Sequence, residues 1–109
     1  MPNYSKNEVI LIRYPFSNLS GSKIRPAIVV GEPHPSQDLF VVPLTSRNAA
    51  LLSGEFPLAN WAAAGLNVPS EVKRGLFTIH QSLVLKTVGS PREADAQSIQ
   101  TSLREWLGL

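Results

Sequence analysis

Short runs of β-branched, aliphatic and aromatic residues, each closed by turn-forming residues, constrain the fold of this chain more than any other feature. The runs cover residues 8–14, 26–31, 39–45, 55–58 and 72–88. β-Branched and aromatic residues are typical of strands, whereas Gly, Pro, Asn and Ser between them are typical of turns. The pattern predicts a mainly β protein, folded as a small antiparallel barrel with helical additions.

Three residues inside the runs predict irregularities in the strands. Pro26 is expected at the start of the second strand, where a missing N–H group does least harm. Pro43 stands inside the third run, which predicts an edge strand or a bulge. Ser82 divides residues 72–88 into two strand-like parts.

The C-terminal segment has the pattern of an amphipathic helix. Ser90 is the predicted N-cap, Pro91 the first helical residue and Glu93 the capping-box partner. Residues at helical spacing then form one apolar stripe, which predicts a core or dimer contact: Ile99, Leu103, Trp106 and Leu107. Gly108 follows as a stop signal, and residues 60–65 predict a further helical turn ended by Gly65.

The length and composition of the chain predict one folded domain over residues 1–109. The chain is 43% hydrophobic and 17% charged, which is ordinary for a globular protein. No apolar run approaches the roughly 18 residues of a membrane helix, and residues 1–6 lack the apolar stretch of a secretory signal. We therefore expect a cytoplasmic protein with no membrane partner.

The charge distribution permits binding to nucleic acid but does not establish it. Residues 1–90 hold eight Lys and Arg against five acids, a balance of +3, while residues 91–109 hold two bases and three acids, a balance of −1. A mildly basic body of this kind is compatible with contact to phosphates.

Several kinds of catalytic site lack the residues they need. The absence of cysteine excludes a disulfide framework, a thiolate metal site and a cysteine nucleophile. His34 and His80 are the two histidines, and no His, Asp or Glu cluster has the spacing of metal ligands, so we expect no metal and no cofactor. His34 is interpreted as a surface residue in a turn. For His80 a partly buried structural role is favoured over a general base.

A polar, basic loop that leads into the second strand is the strongest candidate for a site. Arg25 stands where the loop over residues 20–24 meets the strand, so a rigid backbone can aim its guanidinium group at a phosphate. Thr45 ends the third strand. If these strands pair through a turn at residues 32–37, Arg25 and Thr45 lie at the same end and can face one groove. Taken without further information, an ion pair for Arg25 and a simple strand end at Thr45 are the favoured interpretation.

Five segments, in this order, resemble the MazF/PemK family of type II toxin–antitoxin endoribonucleases. They are residues 9–30, with Arg25-Pro26-Ala27 at the strand entry, 42–46, 65–73, 76–79 and 87–89. The resemblance thus spans nearly the whole chain. It implies the SH3-like barrel of these toxins with a C-terminal helix, and a homodimer with its RNA groove at or near the subunit interface.

The resemblance also implies an activity, which is metal-independent, sequence-selective cleavage of single-stranded RNA, usually mRNA, through the substrate's own 2′-hydroxyl. It assigns acid–base and charge-stabilising roles to Arg25 and a supporting role at the phosphate to Thr45. An antitoxin with a disordered acidic tail is the implied protein partner. The chemistry agrees with this assignment. Because the RNA itself supplies the attacking oxygen, the protein needs only to align the strand and to stabilise the charge that develops on the phosphate.

Further side chains are candidates for contact with RNA. They are Ser22, Lys23, Ser46, Arg47, Lys73 and Arg74. For Lys73 and Arg74 a solvated basic turn is an equal alternative. The sequence departs from the family here, because members commonly carry an acid between this segment and the next strand, and none follows Arg74 before Leu76.

Two other functions stay open at this stage. A toxin of the same fold can bind a protein target, as a topoisomerase poison of the CcdB type does. An inactive dimeric binding module is the second alternative, and the missing acid is its main support.

Overall fold

A computed structural model of the protein describes residues 4–14, 23–46 and 50–109. Within these residues the chain forms strands β1 (Val9–Tyr14), β2 (Lys23–Val29), β3 (Asp38–Thr45), β4 (Phe56–Pro57), β5 (Glu71–Val72), β6 (Phe77–His80) and β7 (Val84–Gly89). A 3₁₀ turn (Gln81–Leu83) separates β6 from β7, and helix α1 (Glu93–Leu107) ends the fold. No helix in these residues is long and apolar enough to cross a membrane.

The strands form one antiparallel sheet in the order β4-β5-β3-β2-β1-β7, with β6 also paired to β3. The prediction of a mainly β fold with a C-terminal helix is confirmed. In the described residues the outer strands β4 and β7 do not pair with each other, so the sheet is curled but not closed.

Pro43 is the last residue of β3 that pairs with β2. Up to Pro43, β3 pairs with β2, through Ala27 opposite Pro43. Beyond it β3 pairs with β5, through Leu44 opposite Val72. The prediction of an edge strand or a bulge was wrong, because β3 lies between β5 and β2 and its register with β2 is regular. Proline cannot donate to a ladder, and Pro43 stands at the last position of the pairing with β2, where a missing donor does least harm.

Pro26 is not at the start of its strand, and that prediction was wrong. β2 begins at Lys23, and Pro26 is its fourth residue, opposite Leu11 of β1. On the other side, β2 pairs with β3 only from Ala27 onward. The strand can therefore begin earlier than expected, because no bond to β3 is lost at the proline.

The sheet separates two apolar clusters, because successive residues of a strand face opposite sides. One cluster contains Val9, Ile28, Val42 and Val72 and is covered by α1, with Ile99 buried and Leu103 and Trp106 half-buried against it. The other contains Ile10, Ala27, Val41 and Ile79. The helical stripe predicted from the sequence is confirmed except at Leu107, which is exposed on the last turn.

The start of α1 differs from the prediction. The helix begins at Glu93 with Arg92 as its N-cap, and no side chain caps it, so Ser90 is not the cap. Asp95 instead fixes the helix, because its buried carboxylate accepts hydrogen bonds from the backbone N–H groups of Ala59 and Asn60, both 3.0 Å away. This tertiary anchor, rather than a local capping box, decides where the first turn lies. Gly108 ends the helix in the left-handed conformation, as predicted.

We expect Asp95→Ala to lower the free energy of unfolding by about 2 kcal/mol, because two backbone N–H groups lose their charged acceptor. Urea denaturation measures the change. Glu93→Ala, in the same turn but exposed, is the control and should cost less than about 0.5 kcal/mol. Equal effects of the two substitutions would show that Asp95 does not anchor the helix.

Candidate functional site: a groove at one end of the sheet

A groove of about 580 Å³ opens at the end of the sheet where β2 begins and β3 ends. Its strand residues include Leu11, residues 24–26 and residues 44–46. The segment from Gly65 to Val68, with Ser70, and residues 86–88 of β7 complete the lining. The groove therefore lies at the end of the sheet and takes side chains from several strands and a loop.

Arg25, Thr45 and Ser46 all line this groove, as the pairing of β2 with β3 requires. Arg25 and Thr45 are half-buried, whereas Ser46 is exposed. Half-burial restricts the motion of a long side chain such as Arg25 while leaving part of it accessible to a ligand. The expected meeting of Arg25 and Thr45 at one groove is observed, and their chemical roles remain predictions.

Glu71 is an acid near Thr45 that sequence reasoning did not single out. It lies directly opposite Thr45 in the pairing of β3 with β5, so the two side chains emerge on the same face of the sheet. Its Oε1 atom is buried and has no hydrogen-bond partner within the described residues. The sequence does not indicate its place beside Thr45, because only the strand register brings the two residues together.

Lys86, Thr87 and Asn67 are three further polar residues in the groove that the sequence did not indicate. All three are exposed. Lys86 reaches the groove because β7 pairs with β1, which places Lys86 opposite Leu11. This non-local pairing leaves no local sequence signal, so Lys86 resembles any other surface lysine until the sheet order is known.

Lys73 and Arg74 are held by Glu55 and do not line the groove. Lys73 Nζ lies 2.9 Å from Glu55 Oε1, and the backbone N–H of Arg74 donates to Glu55 Oε2 at 2.9 Å. The side chain of Glu55 is only 3% exposed. Hydrogen bonds from the N–H groups of Arg74 and Leu52, with Lys73 beside them, lower the pKa of Glu55 to about 2.

Three other predicted RNA contacts have no described side chain. Ser22 and Arg47 lie outside the described residues. Lys23 is described only as the first residue of β2, opposite Tyr14 in the strand register. Arg25 stands two residues farther into the same strand.

The two histidines lie away from the groove. His34 is exposed in the connection between β2 and β3, where its Nδ1 is 2.9 Å from Ser36 Oγ. His80 is exposed at the end of β6 and accepts a hydrogen bond from Ser82 N, which caps the 3₁₀ turn. Its structural role is confirmed, but the expected burial was wrong. No group of three or more His, Cys, Asp or Glu side chains in the described chain could hold a metal ion.

One side of the groove depends on a contact between two backbones. Gly65 has φ +91°, and a Cβ atom there would overlap the carbonyl oxygen of Val88. A Cβ atom on Gly89 would overlap the carbonyl oxygen of Ala64 in the same way. The loop that begins at Gly65 is thereby fixed against the end of β7, and both segments reach the groove at adjoining positions.

We expect Gly65→Ala to cost about 3 kcal/mol of folding stability, since strain at a positive φ adds to a steric overlap. Gly108→Ala is a matched control, because Gly108 has φ +72° but no atom within 4 Å of the added Cβ. The control should cost only about 1 kcal/mol. Thermal or urea unfolding of both variants measures the difference, and similar costs would refute the close contact.

The lowered pKa of Glu55 gives a pH-dependent contribution to stability. A carboxyl group whose pKa is lower in the folded state than its ordinary 4.5 stabilises the fold above that value, and the contribution is lost as the pH falls towards 2. Replacement by Gln should therefore cost on the order of 1 kcal/mol at pH 7, after allowance for screening near the surface. The cost should shrink between pH 4.5 and pH 2. Urea denaturation across this range tests the sign, and a cost that grows on acidification would contradict it.

Comparison with known proteins identifies the family. The family model described as "PemK-like, MazF-like toxin of type II toxin-antitoxin system" matches residues 5–107. No curated protein sequence matches significantly.

Solved structures share the fold at low sequence identity. MazF from Deinococcus radiodurans superposes with a TM-score of 0.79 at 16% identity, covering 100% of both chains. The Mycobacterium tuberculosis toxin MazF-mt6 gives 0.74 at 20% identity, covering 94% of this chain and 97% of that one. An endoribonuclease from a mycobacterial species, in complex with its cognate antitoxin, gives 0.76 at 15% identity over 97% and 96%. With the family model spanning almost its full length, the chain belongs to the PemK-like, MazF-like toxins of type II toxin–antitoxin systems.

Proposed function

We propose that this toxin is a metal-independent, sequence-selective endoribonuclease that cleaves single-stranded RNA, with mRNA as its target. The observation that carries the proposal is the groove that joins Arg25, Thr45 and Ser46 to Lys86 on the outer strand β7. Cations and hydroxyl groups along one open groove suit a flexible strand of phosphates. The endoribonuclease names borne by structural relatives support the same reaction.

The proposed reaction uses the substrate's own nucleophile. The 2′-oxygen of one ribose attacks the adjacent phosphorus, and the bond from phosphorus to the 5′-oxygen of the next nucleotide breaks. The products are a 2′,3′-cyclic phosphate and a 5′-hydroxyl, with one proton lost from the 2′-oxygen and one gained by the 5′-oxygen. The protein then needs no nucleophile, which suits a chain without cysteine.

Arg25 carries the central role in this proposal. Its guanidinium group can donate two parallel hydrogen bonds to phosphate oxygens, and it stabilises the charge that grows on them in the transition state. The Thr45 hydroxyl donates to the same phosphate. A guanidinium group offers hydrogen-bond donors and positive charge but no acceptor, so we assign Arg25 chiefly to charge stabilisation.

The other predicted contacts bind the strand on either side of the reacting phosphate. Ser46 adjoins Thr45 in the groove, and Ser22, Lys23 and Arg47 are proposed to contact the RNA backbone from neighbouring positions in the sequence. Arg74 has an exposed side chain that can contribute a cation. We expect Lys73 to contribute least to RNA binding, because Glu55 already balances its charge.

We further propose a cytoplasmic homodimer that is silenced by a cognate antitoxin. A mycobacterial endoribonuclease and the Deinococcus radiodurans toxin have been solved with their antitoxins, which supports a partner of this kind. An acidic, disordered antitoxin segment would complement the basic groove and compete with RNA.

We expect Arg25→Ala to reduce cleavage of an unstructured RNA by about 10²–10³-fold or more, since a charge-stabilising donor is lost. The assay maps RNA ends in the presence of EDTA, and wild type should give discrete cuts with 5′-hydroxyl ends. Arg104→Ala on α1 is the control, because it removes the same charge away from the groove. Circular dichroism should show that both variants fold.

Two results would contradict the proposal. Full activity of Arg25→Ala would refute the mechanism. No cleavage of several unrelated RNAs by the folded wild type would favour a toxin that binds a protein target, or an inactive binding module.

A further inference from the structure

A second cavity adjoins the groove and has no role in the reaction described above. Its volume is about 740 Å³. Ser46, Val68 and Ser70 line both spaces, so the cavity is continuous with the place where the reacting phosphate would lie. Any occupant of the cavity would therefore be a direct neighbour of that phosphate.

The lining of this cavity combines an aromatic ring with apolar side chains. Trp61 is half-buried and contributes its indole, while Leu58, Pro57 and Pro69 contribute apolar surface. Planar bases of single-stranded RNA stack on aromatic and apolar side chains of this kind. The Glu71 carboxylate in the lining would repel a phosphate, so the chemistry favours a base.

Glu71 contributes to the cavity a carboxylate oxygen that lacks a hydrogen-bond donor. It lines the cavity, and its buried Oε1 accepts no hydrogen bond within the described residues. A buried acceptor without a donor costs free energy, which a ligand that brings an N–H group can recover. The terminal torsion of a glutamate side chain is soft, so a small rotation can present either oxygen to a ligand.

We propose that this cavity binds the base beside the reacting phosphate and that Glu71 selects a base with an exocyclic amino group. The inference rests on the proposed RNA substrate and adds a specificity-determining residue to it. A carboxylate accepts from the amino group of cytosine, whereas uracil has a carbonyl oxygen at that position, which a carboxylate repels. Cytosine and uracil are almost the same size, so the cavity discriminates between them by hydrogen bonding and not by shape.

The test measures binding separately from cleavage. Fluorescence anisotropy gives Kd for 2′-O-methyl hexamers of cytidine and of uridine, which cannot be cut because the attacking oxygen is blocked. We expect wild type to bind oligo-C about tenfold more tightly than oligo-U. Glu71→Gln, whose amide can donate or accept, should bring the two affinities to within about threefold.

Two further variants separate this site from general effects of charge and folding. Glu93→Gln removes the same charge from an exposed position on α1 and should leave the tenfold ratio unchanged. Val68→Trp adds bulk at an exposed residue on the shared mouth and should weaken oligo-C binding while oligo-U changes little. It also provides a second measurement if Glu71→Gln is unstable.

The possible results distinguish this inference from the proposed nuclease activity. Equal affinity of wild type for the two hexamers, or an unchanged ratio in Glu71→Gln, would overturn the base site even if wild type cleaves RNA. An apolar side chain of a protein partner would then be the better occupant. Selective binding that Glu71→Gln abolishes, by a wild type that cuts no RNA, would support the base site and contradict the nuclease. No binding to either hexamer would overturn the base site, while the nuclease activity is decided separately by the cleavage assay.

Discussion

The arrangement of the groove depends on a contact between two backbones that leaves no room for a side chain. Where Gly65 meets Val88, and Gly89 meets Ala64, even a methyl group would overlap a carbonyl oxygen. The contact ties the loop from Gly65 to Ser70 to β7, an outer strand of the sheet, although the loop leads into β5 on the other side of β3. Because the sheet is open, this tie holds the segments around the groove together where strand pairing does not.

Under the proposed function, the groove and the adjoining cavity would divide the requirements of RNA binding between them. Arg25 and Lys86 provide positive charge on the groove, where phosphates would remain partly in water. Trp61 and its apolar neighbours provide a surface for a base in the cavity. Ser46, Val68 and Ser70 lie between the two spaces. Single strands suit this division, because their bases are free to turn away from the backbone.

Most of the fold follows from local sequence patterns, and most errors arise where tertiary contacts override them. The strands and the stop at Gly108 were predictable, because β-branched runs and a helix-ending glycine act over a few residues. Ser90 failed as a cap because Asp95 fixes α1 through Ala59 and Asn60, more than thirty residues away. The predicted position of Pro26 at the start of β2 was wrong, because a proline fits inside a strand where no hydrogen bond to a neighbouring strand is lost. Whether one is lost depends on where β3 begins to pair with β2.

The candidate site was predictable only in part, for the same reason. Arg25 and Thr45 follow from a hairpin-like pairing of consecutive strands, which a sequence pattern can anticipate. Glu71 and Lys86 reach the site through the pairing of β5 with β3 and of β7 with β1. No local pattern encodes these contacts, so neither Glu71 nor Lys86 could be assigned to the site from the sequence.

The most direct test of the account is an NMR titration of the wild-type protein with a 2′-O-methyl RNA hexamer of mixed sequence. The account predicts that the largest amide shift changes occur at residues 44–46, 65–70 and 86–88, with little change along α1 or around His34. Changes centred on α1 or on the end of the sheet that carries His34 would contradict it, because the groove at Arg25 would then not be where the RNA strand binds.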